Sequence, residues 1–363
     1  MRITRIETSR LRVPLKKPFK TALRTVHTAE SVIVRIAADS GHTGWGEAPP
    51  TLAITGESVE SIEAFIHGIT PKLVGESPLL YERLLPVLHG AAVRNSSAKA
   101  AVEMALYDLL AQHGGVPLYQ LLGGHKNEIE TDFTVSVGSP EEMGEDAVQY
   151  VKSGFTVLKI KVGLGDADLD IRRVKAIRER IGYGIKLRLD ANQGWDAKTA
   201  VRLIRAMEDG GLDIELVEQP VKAHDIAGLG LVTSQVDTPI MADESVFSPA
   251  DALEVIRQRS ADLINIKLMK AGGMYHAETI CRMAEASGME CMIGSMIESR
   301  VGASAAAHFA AAKRNVTRVD LDSPLMMSED AVEGGVMYEG NRIVLPDVPG
   351  LGIFGVRLRE PQQ

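Results

Sequence analysis

The segment Thr156–Gly163, TVLKIKVG, alternates apolar and basic side chains in the manner of a β-strand. Its aliphatic side chains lie on one face of such a strand, and Lys159 and Lys161 lie on the other. This alternation is typical of a sheet with one solvent-exposed face. The rest of the chain predicts a parallel barrel in which both faces are buried, so the two lysines need a functional explanation.

Short apolar runs of this kind recur at roughly even spacing from about residue 131 onward. They are TVSV at Thr134, LKIKV at Leu158, LRLDA at Leu187, LVEQP at Leu216, IMADE at Ile240, LINIKL at Leu263, CMIGSM at Cys291 and RVDLD at Arg318. Helix-like segments separate them, and strands that alternate with helices form right-handed βαβ units and a parallel sheet. Eight such units favour an α/β fold with a closed (β/α)8 barrel. Spacing alone leaves an open, doubly wound sheet as the alternative.

The first 125 residues have a different pattern, with three strand-like stretches followed by three helical ones, and predict a separate α+β module. Near the C terminus, GVMYEGNRIVLP predicts a hairpin with its turn at residues 339–341. We predict one domain at residues 1–125, completed by the segment 340–363, and a barrel domain at residues 126–339. The active site of such a barrel lies at the C-terminal ends of its strands.

Composition excludes several classes of protein. The formal net charge is −8 and no basic run would follow a phosphate backbone, so we expect no nucleic acid partner. The N-terminal stretch lacks the apolar run of a signal peptide and no segment has the length of a membrane span, which predicts a cytoplasmic protein without membrane contact. Cys281 and Cys291 are expected to be buried free thiols. The sequence leaves open whether the chain forms a homo-oligomer.

Three successive runs end in a carboxylate: Asp190 in LRLD, Glu218 in LVE and Asp243 in IMAD. Neighbouring parallel strands bring such residues to one place, where unpaired carboxylates would repel one another and raise one another's pKa. A hard divalent cation resolves this, and Mg²⁺ fits better than Zn²⁺ because no histidine or cysteine lies beside them. Local pairing or helix capping is the alternative for any single carboxylate.

The barrel also explains the lysines, because one strand face meets the helices and the other turns Lys159 and Lys161 inward. LINIKL repeats the arrangement with Asn265 and Lys267. Burial and nearby cations lower a lysine pKa, as a general base requires, although lysine heads at strand ends also reach solvent. Two such bases flanking a substrate carboxylate on Mg²⁺ can remove the α-proton on one face and return it on the other, through an enediolate. That reaction inverts a stereocentre.

Five motifs carry a family resemblance: KIK at Lys159, DANQGW at Asp190, VEQP at Val217, ADES at Ala242 and NIKLMKAGG at Asn265. They resemble the muconate lactonizing enzyme subgroup of the enolase superfamily, over nearly the whole chain. The resemblance implies an N-terminal capping domain over a modified (β/α)7β barrel, with one irregular βα unit. It further implies one Mg²⁺ per subunit on Asp190, Glu218 and Asp243, an acid/base pair formed by Lys161 and Lys267, and Lys159 as an electrostatic helper.

Three further segments, KPFKTALRT around Arg24, GSMIES around Ser295 and DLD at residues 320–322, are similar to those of the dipeptide epimerases of that subgroup. The similarity implies L-Ala-D/L-Glu as the substrate and a role in the recycling of cell-wall peptides. Asp320 and Asp322, which alternation places on one inward face, would bind the free ammonium. Arg24 would bind the glutamate side-chain carboxylate. Thr134, Ser295 and Ile297 would line the pocket.

Other functions remain as alternatives. An N-acylamino acid racemase or o-succinylbenzoate synthase would use the same metal and lysines, but its substrate has no ammonium for Asp320 and Asp322. A Schiff-base aldolase needs no metal, which would leave three carboxylates without a purpose. A binding protein that has lost catalysis should lack one of the two lysines, and both are present.

Overall fold

The structure, a computed structural model, describes residues 1–357. Its N-terminal part is an antiparallel sheet with helices packed on it. The elements are β1 (Ile3–Lys20), β2 (Thr25–Ala38), β3 (Thr43–Ala48), α1 (Val59–Leu73), α2 (Tyr81–His89), α3 (Ser96–Gly114) and α4 (Leu118–Leu121). The three longer helices lie where the sequence predicts them.

Two glycines of β3 allow α3 to pack directly on the sheet. A Cβ atom at Gly44 would lie 2.0 Å from the carbonyl oxygen of Ala105, and one at Gly46 would lie 1.9 Å from that of Ala101. Any side chain at either position would push the helix away. The close packing joins the sheet of β1, β2 and β3, the capping sheet, to α3 as one unit.

The rest of the chain alternates strands with helices, after the short strand β4 (Glu128–Glu130). The strands are β5 (Phe133–Val135), β6 (Val157–Lys161), β7 (Lys186–Asp190), β8 (Ile214–Glu218), β9 (Ile240–Ala242), β10 (Leu263–Lys267), β11 (Glu290–Gly294) and β12 (Val316–Asp320). The helices are α5 (Pro140–Lys152), α6 (Ala167–Ile181), α7 (Ala197–Asp209), α8 (Ile226–Gln235), α9 (Pro249–Gln258), α10 (Leu268–Ala271), α11 (Met274–Ala286), α12 (Arg300–Ala312) and α13 (Ser323–Met326).

The eight strands form one parallel sheet in sequence order, from β5 to β12. The sheet curves nearly into a closed barrel, because Asp132, just before β5, donates its backbone N–H to Val319 O of β12 at 3.2 Å. The last strand is followed only by the four-residue helix α13. Seven full βα units and a final strand therefore confirm the (β/α)7β barrel, and the irregular unit is the last one.

The C-terminal elements are β13 (Val332–Gly334), β14 (Met337–Glu339), β15 (Arg342–Val344) and β16 (Ile353–Val356). The predicted hairpin is confirmed as β14–β15, and β15 pairs with β4. The chain then contacts the N-terminal module, since Leu351 N–H donates to Asp108 Oδ1 of α3 at 2.8 Å. The domain boundaries stay a prediction, and residues 358–363 of the segment 340–363 lie outside the described residues.

Cys281 and Cys291 are both buried and free, as predicted. Within residues 1–357 no helix is long and apolar enough to cross a membrane.

Candidate active site

The three predicted metal ligands lie together at the C-terminal ends of neighbouring strands. Asp190 and Glu218 are the last residues of β7 and β8 and are paired in register, and Asp243 directly follows β9. All three side chains are fully buried. The polarity pattern of the sequence therefore predicted correctly that these three carboxylates meet, and their role as metal ligands stays a prediction.

The lysines lie among these carboxylates. Lys159 Nζ is 3.1 Å from Asp190 Oδ2, 2.8 Å from Glu218 Oε2 and 2.7 Å from Asp320 Oδ2. Lys161 Nζ is 2.5 Å from Asp190 Oδ2. The strand β6 thus directs both lysines into the barrel interior, while its aliphatic side chains pack in the core.

Lys267, on the other side of the site, binds Asp243 Oδ2 at 2.8 Å. The expectation of a lowered lysine pKa is wrong for this residue in the arrangement seen here. Burial lowers the pKa of Lys267, but Asp243, Glu218 and Glu244 attract the proton more strongly and raise that pKa above its ordinary value. The sequence does not show how many carboxylates surround each lysine.

The site contains more carboxylates than its lysines neutralise. Burial, and then the charge of Asp190, raise the pKa of Glu218 to about 7. Burial, and then Asp243 and Asp190, raise the pKa of Glu244 to about 8. Burial also acts to raise the pKa of Asp190, but Lys161, Lys159 and Lys267 outweigh it and lower that pKa to about 2. An additional cation would stabilise the ionised form of every carboxylate here.

These residues fit a hard divalent cation. The donors are carboxylate oxygens, and the ammonium of Lys159 already bridges Asp190 and Glu218, so a positive charge occupies the space between two predicted ligands. In the described residues no three carboxylate, histidine or cysteine side chains form a ready-made metal cluster. Asp190, Glu218 and Asp243 would hold the cation, which would supply positive charge to their buried carboxylates.

A single cavity beside the carboxylates collects most of the other predicted residues. Its lining includes both lysines of the predicted acid/base pair and the residues predicted to bind the substrate, namely Arg24, Thr134, Lys161, Lys267, Ser295, Ile297, Asp320 and Asp322. They come from the loop after β1 and from the ends of five barrel strands or the segments that follow them. Lys159 and the three predicted metal ligands are almost fully buried and are not among the residues that line this cavity.

The two aspartates of DLD have different partners. Asp320 Oδ2 forms an ion pair with the ammonium of Lys159. Asp322 Oδ2 instead accepts a hydrogen bond from the backbone N–H of Thr134 at 2.6 Å. Burial, and then Asp320, raise the pKa of Asp322 to about 7. A cationic group in the cavity would therefore find one carboxylate that is not yet neutralised by a lysine.

Arg24 lies in the loop between β1 and β2, at the same cavity. Within residues 1–357 its guanidinium group makes no hydrogen bond or ion pair, although its backbone is held by Thr21. Burial alone lowers the pKa of Arg24. A largely desolvated guanidinium without a partner is a favourable place for an anionic group.

Sequence reasoning missed several residues of the site. Lys270 Nζ lies 2.7 Å from Asp243 Oδ1, and Asn192 donates to Glu244 Oε1 at 3.2 Å. Asn192 also lines the cavity. The basic residue three positions after Lys267 was the available signal for Lys270. Glu244, which directly follows Asp243, could have been noticed as a fourth carboxylate.

Comparison with known proteins gives the family. Residues 4–123 match the mandelate racemase/muconate lactonizing enzyme N-terminal domain, and residues 142–354 match the enolase C-terminal domain-like family. The chain belongs to the enolase superfamily. The predicted family and fold class are confirmed, and the enzyme class is that of its relatives, the isomerases.

Three relatives show how close the similarity is. The L-Ala-D/L-Glu epimerase of Bacillus subtilis is 63% identical, covering 99% of this chain and 98% of that protein, and its substrate-liganded structure has a TM-score of 0.98 over 99% and 100% of the two chains. The L-Ala-D/L-Glu epimerase of Clostridium acetobutylicum is 54% identical over 95% and 97%. A dipeptide epimerase structure from Enterococcus faecalis V583, complexed with Mg and L-Leu-L-Tyr, has a TM-score of 0.95 at 46% identity, covering 97% and 99%.

Proposed function

We propose that this protein is a Mg²⁺-dependent epimerase of dipeptides, with L-Ala-D/L-Glu as its substrate. One observation carries the proposal: Lys161 and Lys267 line one cavity together with an acidic pair and the guanidinium of Arg24, which has no partner among residues 1–357. Two bases, a site for a cation and a site for a distant anion are the features that such a dipeptide requires. The names of the relatives support the same substrate class.

The reaction exchanges the α-proton of the C-terminal residue between two faces. Lys161 and Lys267 come from β6 and β10 and are held by different carboxylates, Asp190 and Asp243. One lysine takes the proton in its neutral form, and the other, as an ammonium, returns a proton to the opposite face. Mg²⁺ held by Asp190, Glu218 and Asp243 would stabilise the negative charge that develops on the substrate carboxylate. The buried ammonium of Lys159 adds positive charge on the same side.

The ends of the substrate are recognised by charge. Asp322 and Asp320 would bind the free ammonium of the first residue, and Arg24 would bind the side-chain carboxylate of the second. The burial of Arg24 strengthens such a contact, because a charge-assisted hydrogen bond gains from the exclusion of water. Cytoplasmic localisation, a role in recycling cell-wall peptides and the division into domains are parts of the same proposal.

The test is α-proton exchange in D₂O with Mg²⁺, followed by NMR, on a panel of L,L-dipeptides and N-succinyl amino acids. We expect L-Ala-L-Glu to exchange and epimerise fastest and N-acetyl-L-Ala-L-Glu to be a poor substrate, because acetylation removes the ammonium. Equal turnover of the acetylated compound or of an N-succinyl amino acid would instead favour an N-acylamino acid racemase or o-succinylbenzoate synthase.

Two variants assign the ends of the substrate. Asp322→Asn is more informative than Asp320→Asn, since Asp320 also holds Lys159. Asp322→Asn should lower kcat/KM for L-Ala-L-Glu by about one to two decades, which is the effect expected when a partly desolvated charged contact is lost.

Arg24→Ala should lower kcat/KM for L-Ala-L-Glu far more than kcat/KM for a dipeptide with an uncharged second residue. Arg12→Ala is the matched control, because it removes an exposed arginine of β1 that is paired with Glu30.

A further inference from the structure

A carboxylate of the capping sheet binds the N-terminus of a barrel helix. Glu47 of β3 is fully buried and accepts three hydrogen bonds from the start of α12. The donors are Ser299 N–H at 2.8 Å, Ser299 Oγ at 2.6 Å and Gly302 N–H at 2.8 Å. A negative charge at this end of a helix satisfies backbone donors that have no partner within the helix, and it is favoured by the helix dipole.

This helix directly follows the segment that carries Ser295 and Ile297, two residues of the cavity wall. The segment is also held from the barrel side, since Glu298 N–H donates to Ser323 Oγ at 3.1 Å, and Ser323 Oγ donates to Glu298 O at 2.9 Å. On the side of the capping sheet, the segment is held by the hydrogen bonds that Glu47 accepts from Ser299 and Gly302. The segment is thus fixed between the capping sheet and the residue that follows Asp322.

The strand of Glu47 is connected to Arg24 through the same sheet. β2 begins at Thr25, directly after Arg24, and its Ile33 is paired in register with Glu47. Arg24 and Ile297 also meet in space, because both line the active-site cavity and a second cavity beside it. A shift of α12 relative to the sheet would therefore change the distance between the guanidinium and the opposite wall.

We propose that Glu47 is a positioning residue that sets substrate specificity by fixing the segment 295–297 relative to Arg24. Glu47 touches no reacting atom and acts through α12. The proposal rests on the proposed function, in which Arg24 binds the distal carboxylate. It predicts that loss of the Glu47 contact weakens substrate binding more than the proton transfer itself.

The chain offers a matched control in Glu57. This carboxylate is also buried in the N-terminal module and accepts Ser97 N–H at 2.9 Å and Ala98 N–H at 3.0 Å, at the start of α3. It binds a helix N-terminus within the module and does not contact α12. Glu57→Gln therefore reproduces the loss of a buried helix-binding carboxylate without the connection to α12 and the segment 295–297.

The experiment compares Glu47→Gln with Glu57→Gln in the full chain with Mg²⁺. For Glu47→Gln we expect KM for L-Ala-L-Glu to rise about tenfold while kcat stays within about threefold, and for Glu57→Gln we expect neither to change by more than about twofold. Hydrogen exchange of the amides in residues 294–302 should become faster only in Glu47→Gln. Equal losses of stability in both variants with an unchanged KM would overturn the proposal.

Two further readouts keep the test decisive. If Glu47→Gln does not fold, Ser299→Ala removes the hydroxyl contact to Glu47 and, with it, the hydrogen bond that Val301 N–H donates to Ser299 Oγ. It should raise KM in the same direction by a smaller factor, and an unchanged KM would contradict the proposal. If the unmodified enzyme does not act on L-Ala-L-Glu, the proposed function fails by itself. The exchange rates of residues 294–302 then still show whether Glu47 holds the segment.

Discussion

The two sides of the active site repeat one arrangement with different parts. On one side Asp190 contacts Lys159 and Lys161, and on the other Asp243 contacts Lys267 and Lys270. In each pair one lysine lines the cavity and its partner is almost fully buried and does not line it. The cavity-lining lysines, Lys161 and Lys267, are therefore the ones available to a substrate.

The two buried partners differ in what they hold. Among residues 1–357 the ammonium of Lys159 contacts only carboxylates. Lys270 Nζ also donates to the backbone carbonyl oxygens of Asp243, Val246 (3.0 Å) and Asn265 (3.1 Å). Another cation can replace the charge of Lys159 but cannot replace the three directed hydrogen bonds of Lys270. Lys159 therefore supplies positive charge to the carboxylates of the site, whereas Lys270 also holds the surrounding backbone in place.

The largest effect is expected from the cavity-lining lysines. Lys161→Ala or Lys267→Ala should abolish epimerisation, because each removes the proposed base of one face, while the remaining lysine should still exchange the α-proton of one epimer with solvent. The measurement is NMR of L-Ala-L-Glu and L-Ala-D-Glu in D₂O. Lys198→Ala, an exposed lysine of α7, is the control. Epimerisation that survives in either variant would refute the division of the two faces.

Removal of the metal should be nearly as severe. A chelator should stop α-proton exchange, and Mg²⁺ should restore it, because without the cation the α-proton is too weakly acidic for a lysine to remove. Asp190→Asn, Glu218→Gln and Asp243→Asn should each lose most activity in the same assay. Full exchange by metal-free enzyme would mean that the lysines alone suffice, and the carboxylates would need another explanation.

The sequence predicted which lysines and carboxylates meet in the cavity region, because polarity at the end of an apolar strand is a local signal. The alternation in TVLKIKVG turns two lysines inward, and LRLD, LVE and IMAD place one carboxylate each at the end of a strand. The number of alternating strand and helix segments also predicted the barrel. The irregular last unit came from the family resemblance and not from the spacing.

What the sequence could not provide depends on contacts between distant segments. Lys270 lies in the short helix α10, where strand alternation gives no direction to a side chain. The raised pKa of Lys267 depends on how many carboxylates surround it, which only packing decides. Glu47 binds a helix 252 residues later in the chain. No local pattern marks such a contact.

The two buried partner lysines should respond differently to Mg²⁺. Lys159→Met and Lys270→Met should each lower the free energy of unfolding by about 3 kcal/mol or more, since each leaves buried polar groups unpaired. Added Mg²⁺ should restore much of the stability of Lys159→Met, because it supplies positive charge to Asp190 and Glu218. It should restore little in Lys270→Met, where backbone carbonyls have lost their donor. Thermal unfolding with and without Mg²⁺ measures this, and equal recovery would remove the distinction.

The smallest effect concerns a buried carboxyl without a lysine contact. Burial, and then the charge of Glu47, raise the pKa of Glu298 to about 8, from an ordinary value of 4.5. Between these values the folded protein keeps a proton that the unfolded chain releases, so stability falls as the pH rises from 4.5 to 8 and then levels off.

Glu298→Gln carries no such proton and still offers an oxygen to Met296 N–H. Its melting temperature relative to the unmodified protein should therefore increase by a few degrees from about pH 5 to about pH 8. Glu179→Gln, on the exposed face of α6, should show no such trend. A difference that does not change with pH would mean that Glu298 is ionised in the folded protein, and that a buried carboxyl of this site stays charged without a lysine.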